Sequence, residues 1–302
     1  MNLVDSGGLV TETCTLKFVV YEAGSFSSPP IITPASEIVS QVTSYDFEIQ
    51  PETPIQAGGF ISIRYLSTTA DLSTATLIPG TNIKPFAAVF VDVDQRLFVI
   101  VDAFEINFSG MTTFHFTLAG VKNPSSLKPE SIEIKTLDAE YYIVDESSTT
   151  ITMMTPGIHG TITITPETLE NNQIGYYDID LVTSEIQDPT DQINIIFPST
   201  LQLIVTSVSL LGSASPELDS VSYSISGNDL YLTFTLNSPK LPAGSLISVR
   251  VASLQNLVNS SPIGSFTVST ITADGYIKQK TIINPGLTTT VCVACTPYRH
   301  ES

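Results

Sequence analysis

The chain has 302 residues, with 12 Lys and Arg against 30 Asp and Glu and a net charge of −18 at pH 7. Such a surface repels nucleic-acid backbones and anionic membrane surfaces, and no apolar run reaches the roughly 18–20 residues of a membrane span. Only 14% of residues are charged and Trp is absent, so the chain reads as β-rich and extracellular, wetted by hydroxyls more than by charges.

In chain order, Met1-Asn2-Leu3-Val4-Asp5 lacks the basic and apolar regions of a signal peptide. Any leader has therefore been removed, or the sequence belongs to something longer. Residues 1–34 read as the closing strands of a truncated repeat. Asn2-Leu3-Val4-Asp5-Ser6 matches Asn256-Leu257-Val258-Asn259-Ser260, and Ile31-Ile32-Thr33-Pro34 matches Ile282-Ile283-Asn284-Pro285. A first complete repeat is expected over 36–154. It opens with Tyr45, Phe47 and Ile49 alternating into Pro51-Glu52-Thr53, the period of two of a half-buried strand. Leu97, Val99 and Val101 then alternate into a turn at Ser109-Gly110, followed by Phe114, Phe116 and Leu118, which reads as a β-hairpin.

Thr155-Pro156-Gly157-Ile158-His159-Gly160 reads as a short linker. A second repeat is expected over 158–285, opening with Ile162 and Ile164 into Pro166-Glu167-Thr168. Its hairpin runs from Leu230 to Ala252, offset from the first by 230 − 97 = 133 residues. The motif Ile-x-Pro-Glu-Thr, at 49–53 and 164–168, is offset by only 115. The difference, 133 − 115 = 18 residues, is expected as added length near Leu203–Gly227. Val291 to Pro297 aligns with Gly160 to Pro166, so residues 287–302 read as the opening strand of a further repeat.

Helical periodicity is scarce, and short alternating strands are separated by Gly, Pro, Asn and Asp turns. The expected class is all-β, with tandem antiparallel immunoglobulin-like β-sandwich domains and incomplete repeat segments at both ends. A repeat of 115–133 residues is larger than the roughly 100 of an immunoglobulin module.

Residues that could carry chemistry are few. His115 falls on the outward face of a strand, His159 in the linker and His300 in the tail, and the common nucleophile, zinc-protease, phosphate-loop and dinucleotide motifs are absent. The chain is expected not to be an enzyme. Cys292-Val-Ala-Cys295 has metal or redox spacing, but residues i and i+3 of a strand point to opposite faces, so this pair does not make a site. Cys14 and Cys295 both read as inward-facing on terminal strands. They are either simple buried thiols or partners in an intermolecular disulfide that brings chain ends together, with Cys292 left free or pairing elsewhere. Asn107-Phe-Ser and Asn259-Ser-Ser are N-glycosylation sequons in loops. Acidic pairs recur at Asp92/Asp94, Asp178/Asp180 and Asp188/Asp191 and around Asp138–Glu146. Calcium could use such oxygens, but solvated charges that keep sheets apart explain them better; no cofactor is required.

Asn123-Pro124-Ser125-Ser126-Leu127-Lys128-Pro129-Glu130-Ser131-Ile132, and Ser265-Phe266-Thr267-Val268-Ser269-Thr270 with Asp274-Gly275-Tyr276, resemble repeats of large surface proteins of ciliates and other protists. The second stretch lacks the Asn-Pro and Lys-Pro pairs. The resemblance implies a secreted or cell-surface repeat protein without catalytic residues. The function expected from all of this is a structural subunit of an extracellular filament or coat. It would polymerise with itself head to tail by strand exchange between its two ends. The alternative is a surface adhesin whose sandwich loops recognise a glycan or a protein.

Overall fold

The structure, a computed structural model, describes residues 2–4, 10–13, 22–66, 70–256 and 262–290. Among these there is no helix. Near the N-terminus β1 (Asn2–Val4) pairs with β2 (Val10–Thr13). The strands that follow are β3 (Gly24–Ser25), β4 (Ile31–Pro34), β5 (Val42–Ile49), β6 (Phe60–Tyr65), β7 (Thr76–Pro79), β8 (Ala88–Val91), β9 (Leu97–Val101), β10 (Phe114–Lys122), β11 (Glu130–Leu137) and β12 (Ile143–Ile151). A second series comprises β13 (Ile162–Pro166), β14 (Ile174–Val182), β15 (Gln192–Ile196), β16 (Leu201–Leu210), β17 (Leu218–Ser226), β18 (Asp229–Leu236), β19 (Leu246–Asn256), β20 (Phe266–Ile271) and β21 (Ile277–Ile283).

The sheets repeat with one topology. In the first unit, β4-β5-β10-β7 faces β3-β12-β11-β6-β9-β8; in the second, β13-β14-β19-β16 faces β21-β20-β15-β18-β17. Each pair of sheets encloses its own apolar core, one around Phe47, Ile63, Phe98 and Phe116, the other around Ile179, Ile195, Leu232 and Val249. These are two antiparallel two-sheet sandwiches. The alternation seen in the sequence builds them: in β10, Phe114, Phe116 and Leu118 point into the core while His115 and Thr117 point out. A bulge then resets the parity so that Val121 also points in. Gly120 takes the positive φ of 81° there, and a Cβ at this position would lie 2.4 Å from the Thr74 carbonyl oxygen.

Four expectations change. The stretches 97–119 and 230–252 are not hairpins: β9 and β10 lie in opposite sheets, as do β18 and β19. Each connection is an arch across the core. Two alternating strands joined by a short loop satisfy either arrangement, because both bury one apolar face. Second, the first unit begins before residue 36. Strand β4 pairs with β5, Phe26 is in the core and Ile32 packs on it, so 24–34 open this sandwich instead of closing an earlier one.

Third, the copy carries no 18-residue insertion. Pro34 of β4 matches Pro166 of β13 (166 − 34 = 132), and β6 and β15 start 192 − 60 = 132 residues apart. The shared Ile-x-Pro-Glu-Thr motif ends β5 in one copy and β13 in the other. It marks a generic strand exit, where Pro is tolerated because it need not donate to the ladder. Fourth, the buried residues of β9 are Phe98 and Ile100, not Leu97, Val99 and Val101. The offset of 133 holds for β10 and β19, but β9 and β18 are offset by 132. A slip of one residue exchanges the faces of a strand.

A polar device is repeated inside each core. The Tyr45 hydroxyl donates to Asn123 Oδ1 at 2.5 Å, and Asn123 Nδ2 donates to the carbonyls of Ser36 and Ile38 at 2.9 and 2.7 Å. In the second unit the Tyr177 hydroxyl donates to Asn256 Oδ1 at 2.9 Å. Asn256 Nδ2 donates to the carbonyls of Thr168 and Glu170 at 3.1 and 2.9 Å. Burial raises both phenols, Tyr177 to about 12, so both stay protonated donors. Each asparagine pins the loop after the opening strand to the long central strand.

The linker is part of the fabric. Gly24 lies in parallel register beside Asp145 of β12, and Gly157 lies in parallel register beside Gln279 of β21. The Gly157 N–H donates to the Lys278 carbonyl, and its own carbonyl accepts from the Lys280 N–H. On the other side Thr155 bridges Ile38 of the first unit. Residues 155–157 therefore close one sandwich and edge the next. Residues 287–290 repeat the exit: Thr290 bridges Glu170 and Thr288 bridges Pro262, which places them in the second unit and not in a further one.

Candidate interaction surfaces

Because β9 is apolar on both faces, burying Phe98 and Ile100 leaves Val99 and Val101 on the outside. There they meet Phe60 and Ser62 of β6, Phe90 of β8, and Leu137 and Tyr141 at the end of β11, around a groove of about 330 Å³. Tyr141 is 69% exposed and Phe90 56%, and the Tyr141 ring lies 4.6 Å from that of Phe60. The corresponding outward positions of the second unit are Gln192 and Asn194 on β15 and Tyr231 and Thr233 on β18. There the Gln192 amide donates across the strands to Thr233 Oγ1 at 3.4 Å. One outer face is apolar and its twin is polar.

The second surface is the junction between units. The Leu127 N–H donates to the Ile277 carbonyl at 2.9 Å. The Lys128 ammonium sits 2.5 Å from Asp274 Oδ2 and 5.9 Å from the centre of the Tyr276 ring; its bond to Asp274 raises the lysine above its usual range. Lys122 reaches Glu185 at 3.2 Å. The loop that resembles protist repeats is thus the plug of this junction. Behind it His159 is buried, its ring nitrogens 3.1 and 3.0 Å from the hydroxyls of Thr281 and Thr270. Burial lowers its pKa to about 4, so the ring is neutral.

No family model matches the chain, and no curated protein matches it. The resemblance to protist repeats therefore acquires no family. Among solved structures, the chain is similar to the C-terminal domain of the Streptococcus agalactiae AgI/II polypeptide BspA, at 8% identity and a TM-score of 0.32, covering 93% of this chain and 96% of that one. It is similar to the C-terminal domain of the Streptococcus pyogenes antigen I/II-family protein AspA, at 9% identity and a TM-score of 0.29, covering 93% and 97%. A biofilm-associated protein BSP domain matches at 12% identity and a TM-score of 0.25, covering 95% of this chain and 64% of that one. Similarity of this degree assigns no function.

The residues singled out by sequence are scattered. Asn107 is exposed on the β9–β10 arch, where its Oδ1 accepts from the Ala57 N–H at 3.0 Å. Cys14, Cys292, Cys295, Asn259 and His300 lie outside the described residues, and with them the disulfide; of the ends expected to exchange strands, residues 31–34 and 288–290 pair within this chain. His115 points outward, as expected. Among the described residues no three His, Cys, Asp or Glu side chains converge on a metal position. Several of these carboxylates have protein partners. Asp178 takes both arms of Arg250 at 2.7 Å, with that guanidinium 3.6 Å over Tyr176. Asp191 holds the buried Lys278 at 2.7 Å, and Asp92 caps the N–H groups of Arg96 and Leu97. Sequence reading missed the groove and the asparagines. The continuous apolar run Leu97–Val101 was the available signal for the groove.

Proposed function

We propose that this chain is a segment of a cell-surface adhesin, in which the first sandwich binds a protein partner through its outer apolar groove and the second serves as a firmly coupled spacer. The observation that carries the reading is the contrast between twin faces. The same fold, with the same strand order, makes Gln192, Asn194, Tyr231 and Thr233 polar where Phe60, Ser62, Val99 and Val101 line a groove. The fold itself does not need that apolar surface, and a soluble face of this kind is a site of association. Ser62 is the one hydroxyl in the groove besides Tyr141, and no carboxylate lines it. Such a lining suits apolar side chains of another protein better than a sugar, which needs several polar partners.

Stiffness supports the spacer role. The linker is hydrogen-bonded to both units, and the Leu127–Lys128 loop is locked onto the second. The test uses beads coated with the purified chain and cells from the same source. Adhesion is expected to drop when the cells are treated with protease, and by about tenfold with Val99→Asp or Phe90→Asp, which place a charge in a contact that must desolvate. Adhesion that survives both treatments would overturn the reading.

A further inference from the structure

Each sandwich grips its own two ends, and in the same way. Where the chain enters the first unit it lies parallel to the exit at Gly24 beside Asp145, and again at Ile38 beside Thr155. The second unit repeats both contacts, with Gly157 beside Gln279 and Glu170 beside Thr290. Among the described residues these four contacts are the only parallel pairings; all the others are antiparallel. The outer contact of each unit is closed by the same two backbone bonds. The Thr155 N–H donates to the Glu37 carbonyl at 3.1 Å, and the Val39 N–H to the Thr155 carbonyl at 2.9 Å. In the second unit the Thr290 N–H donates to the Leu169 carbonyl and the Asn171 N–H to the Thr290 carbonyl, both at 2.8 Å.

Parallel order matters when the two ends of a chain are pulled apart. Entry and exit segments that run the same way must slide past each other, so their evenly spaced bonds share the load. Antiparallel ends would instead peel apart one bond at a time. We propose that the chain carries tension from end to end, and that these entry–exit contacts are the clamp that holds each sandwich closed against it. The gripping segments are themselves anchored: Asn123 holds the carbonyls of Ser36 and Ile38, and Asn256 those of Thr168 and Glu170. Side chains reinforce the inner contact of the second unit. There the His159 N–H donates to Thr281 Oγ1 at 3.0 Å and Gln279 Nε2 to the Ile158 carbonyl at 3.2 Å. Thr155 is bonded to the first unit and Gly157 to the second, and only Pro156, with its fixed φ, stands between them. Tension therefore passes from one clamp to the next without slack. Such a role goes beyond the apolar groove and holds whether or not that groove binds a partner.

The test holds the full chain at constant force by handles fused to its two ends and records how long each unit survives. One unfolding step per unit is expected. Gly157→Pro removes the N–H given to Lys278, and the isosteric Thr281→Val removes the acceptor of the His159 N–H. Each should shorten the lifetime of one unit under load, by about tenfold for Gly157→Pro, and change its unloaded unfolding rate in denaturant by a smaller factor. Val249→Ala, in the core of the same unit and outside both contacts, should do the reverse. A third arm moves the C-terminal handle to Asn228→Cys, in the turn between β17 and β18, with Cys14, Cys292 and Cys295 changed to Ser. Load then bypasses the exit segment, and the second unit should fail about tenfold sooner or more. Equal lifetimes in the two pulling geometries would overturn the proposal. So would a Val249→Ala chain that fails under load as early as Gly157→Pro, or clamp variants that leave the loaded lifetime unchanged.

Discussion

The asparagine buried in each core is the sharpest test of how these sandwiches are held together. Asn123 is 0% exposed and makes three hydrogen bonds, one from the Tyr45 hydroxyl and two to loop carbonyls. Asn123→Ala strands the phenol and the Ser36 carbonyl at once and leaves the Ile38 carbonyl only the Gln41 N–H at 3.3 Å. A buried polar group left without a partner costs about 1–3 kcal/mol; with the two carbonyls near the surface and partly rescued by water, the sum is about 3–4 kcal/mol. Tyr45→Phe removes one donor and leaves one acceptor of an otherwise bonded amide, so about 1–2 kcal/mol is expected. Because Tyr45 and Asn123 share a bond, the double variant should cost less than the sum of the singles, with a coupling of about 1 kcal/mol or more. Chemical denaturation followed by tyrosine fluorescence reads these values, and Asn256→Ala with Tyr177→Phe provides the parallel set in the second unit. If Asn123→Ala cost under about 1 kcal/mol, or the cycle showed no coupling, the pinning role would be refuted.

Three further outcomes are expected. His159 is buried neutral with its pKa lowered to about 4, so its stabilising effect is complete above the ordinary value near 6.5 and is lost as pH falls through that value toward 4. The drop is about 3 kcal/mol at most, and unfolding midpoints measured from pH 7 to 4 should lose this slope in His159→Gln. Limited proteolysis should spare Thr155–Gly160 in the native chain, because both neighbours hold that backbone; early cleavage there would contradict the structure. Gly157→Pro removes the N–H given to Lys278 and should expose the segment to protease and destabilise the second unit by about 1–3 kcal/mol, measured by calorimetry.

The sequence by itself determined most strands, the apolar faces of those that alternate and the doubling of the unit, because period-two alternation is a local property and each sandwich must bury one face of every strand. It did not determine how strands pair. Leu230–Leu236 and Ile247–Val251 would make an equally good hairpin, and only the presence of β14, β15, β16 and β17 as competing neighbours places them in opposite sheets. Short matches misled where a strand exit recurs for generic reasons, as in the Ile-x-Pro-Glu-Thr motif. The gapless alignment failed at β9, where five consecutive apolar residues left the inward face undefined until Ile61 and Ile63 fixed the register. The two surfaces were decided by tertiary structure alone. The groove draws on residues spread from Phe60 to Tyr141, and the junction brings Leu127 and Lys128 to Ile277 and Asp274. No periodicity connects residues so far apart; the packing of two sheets around one core does.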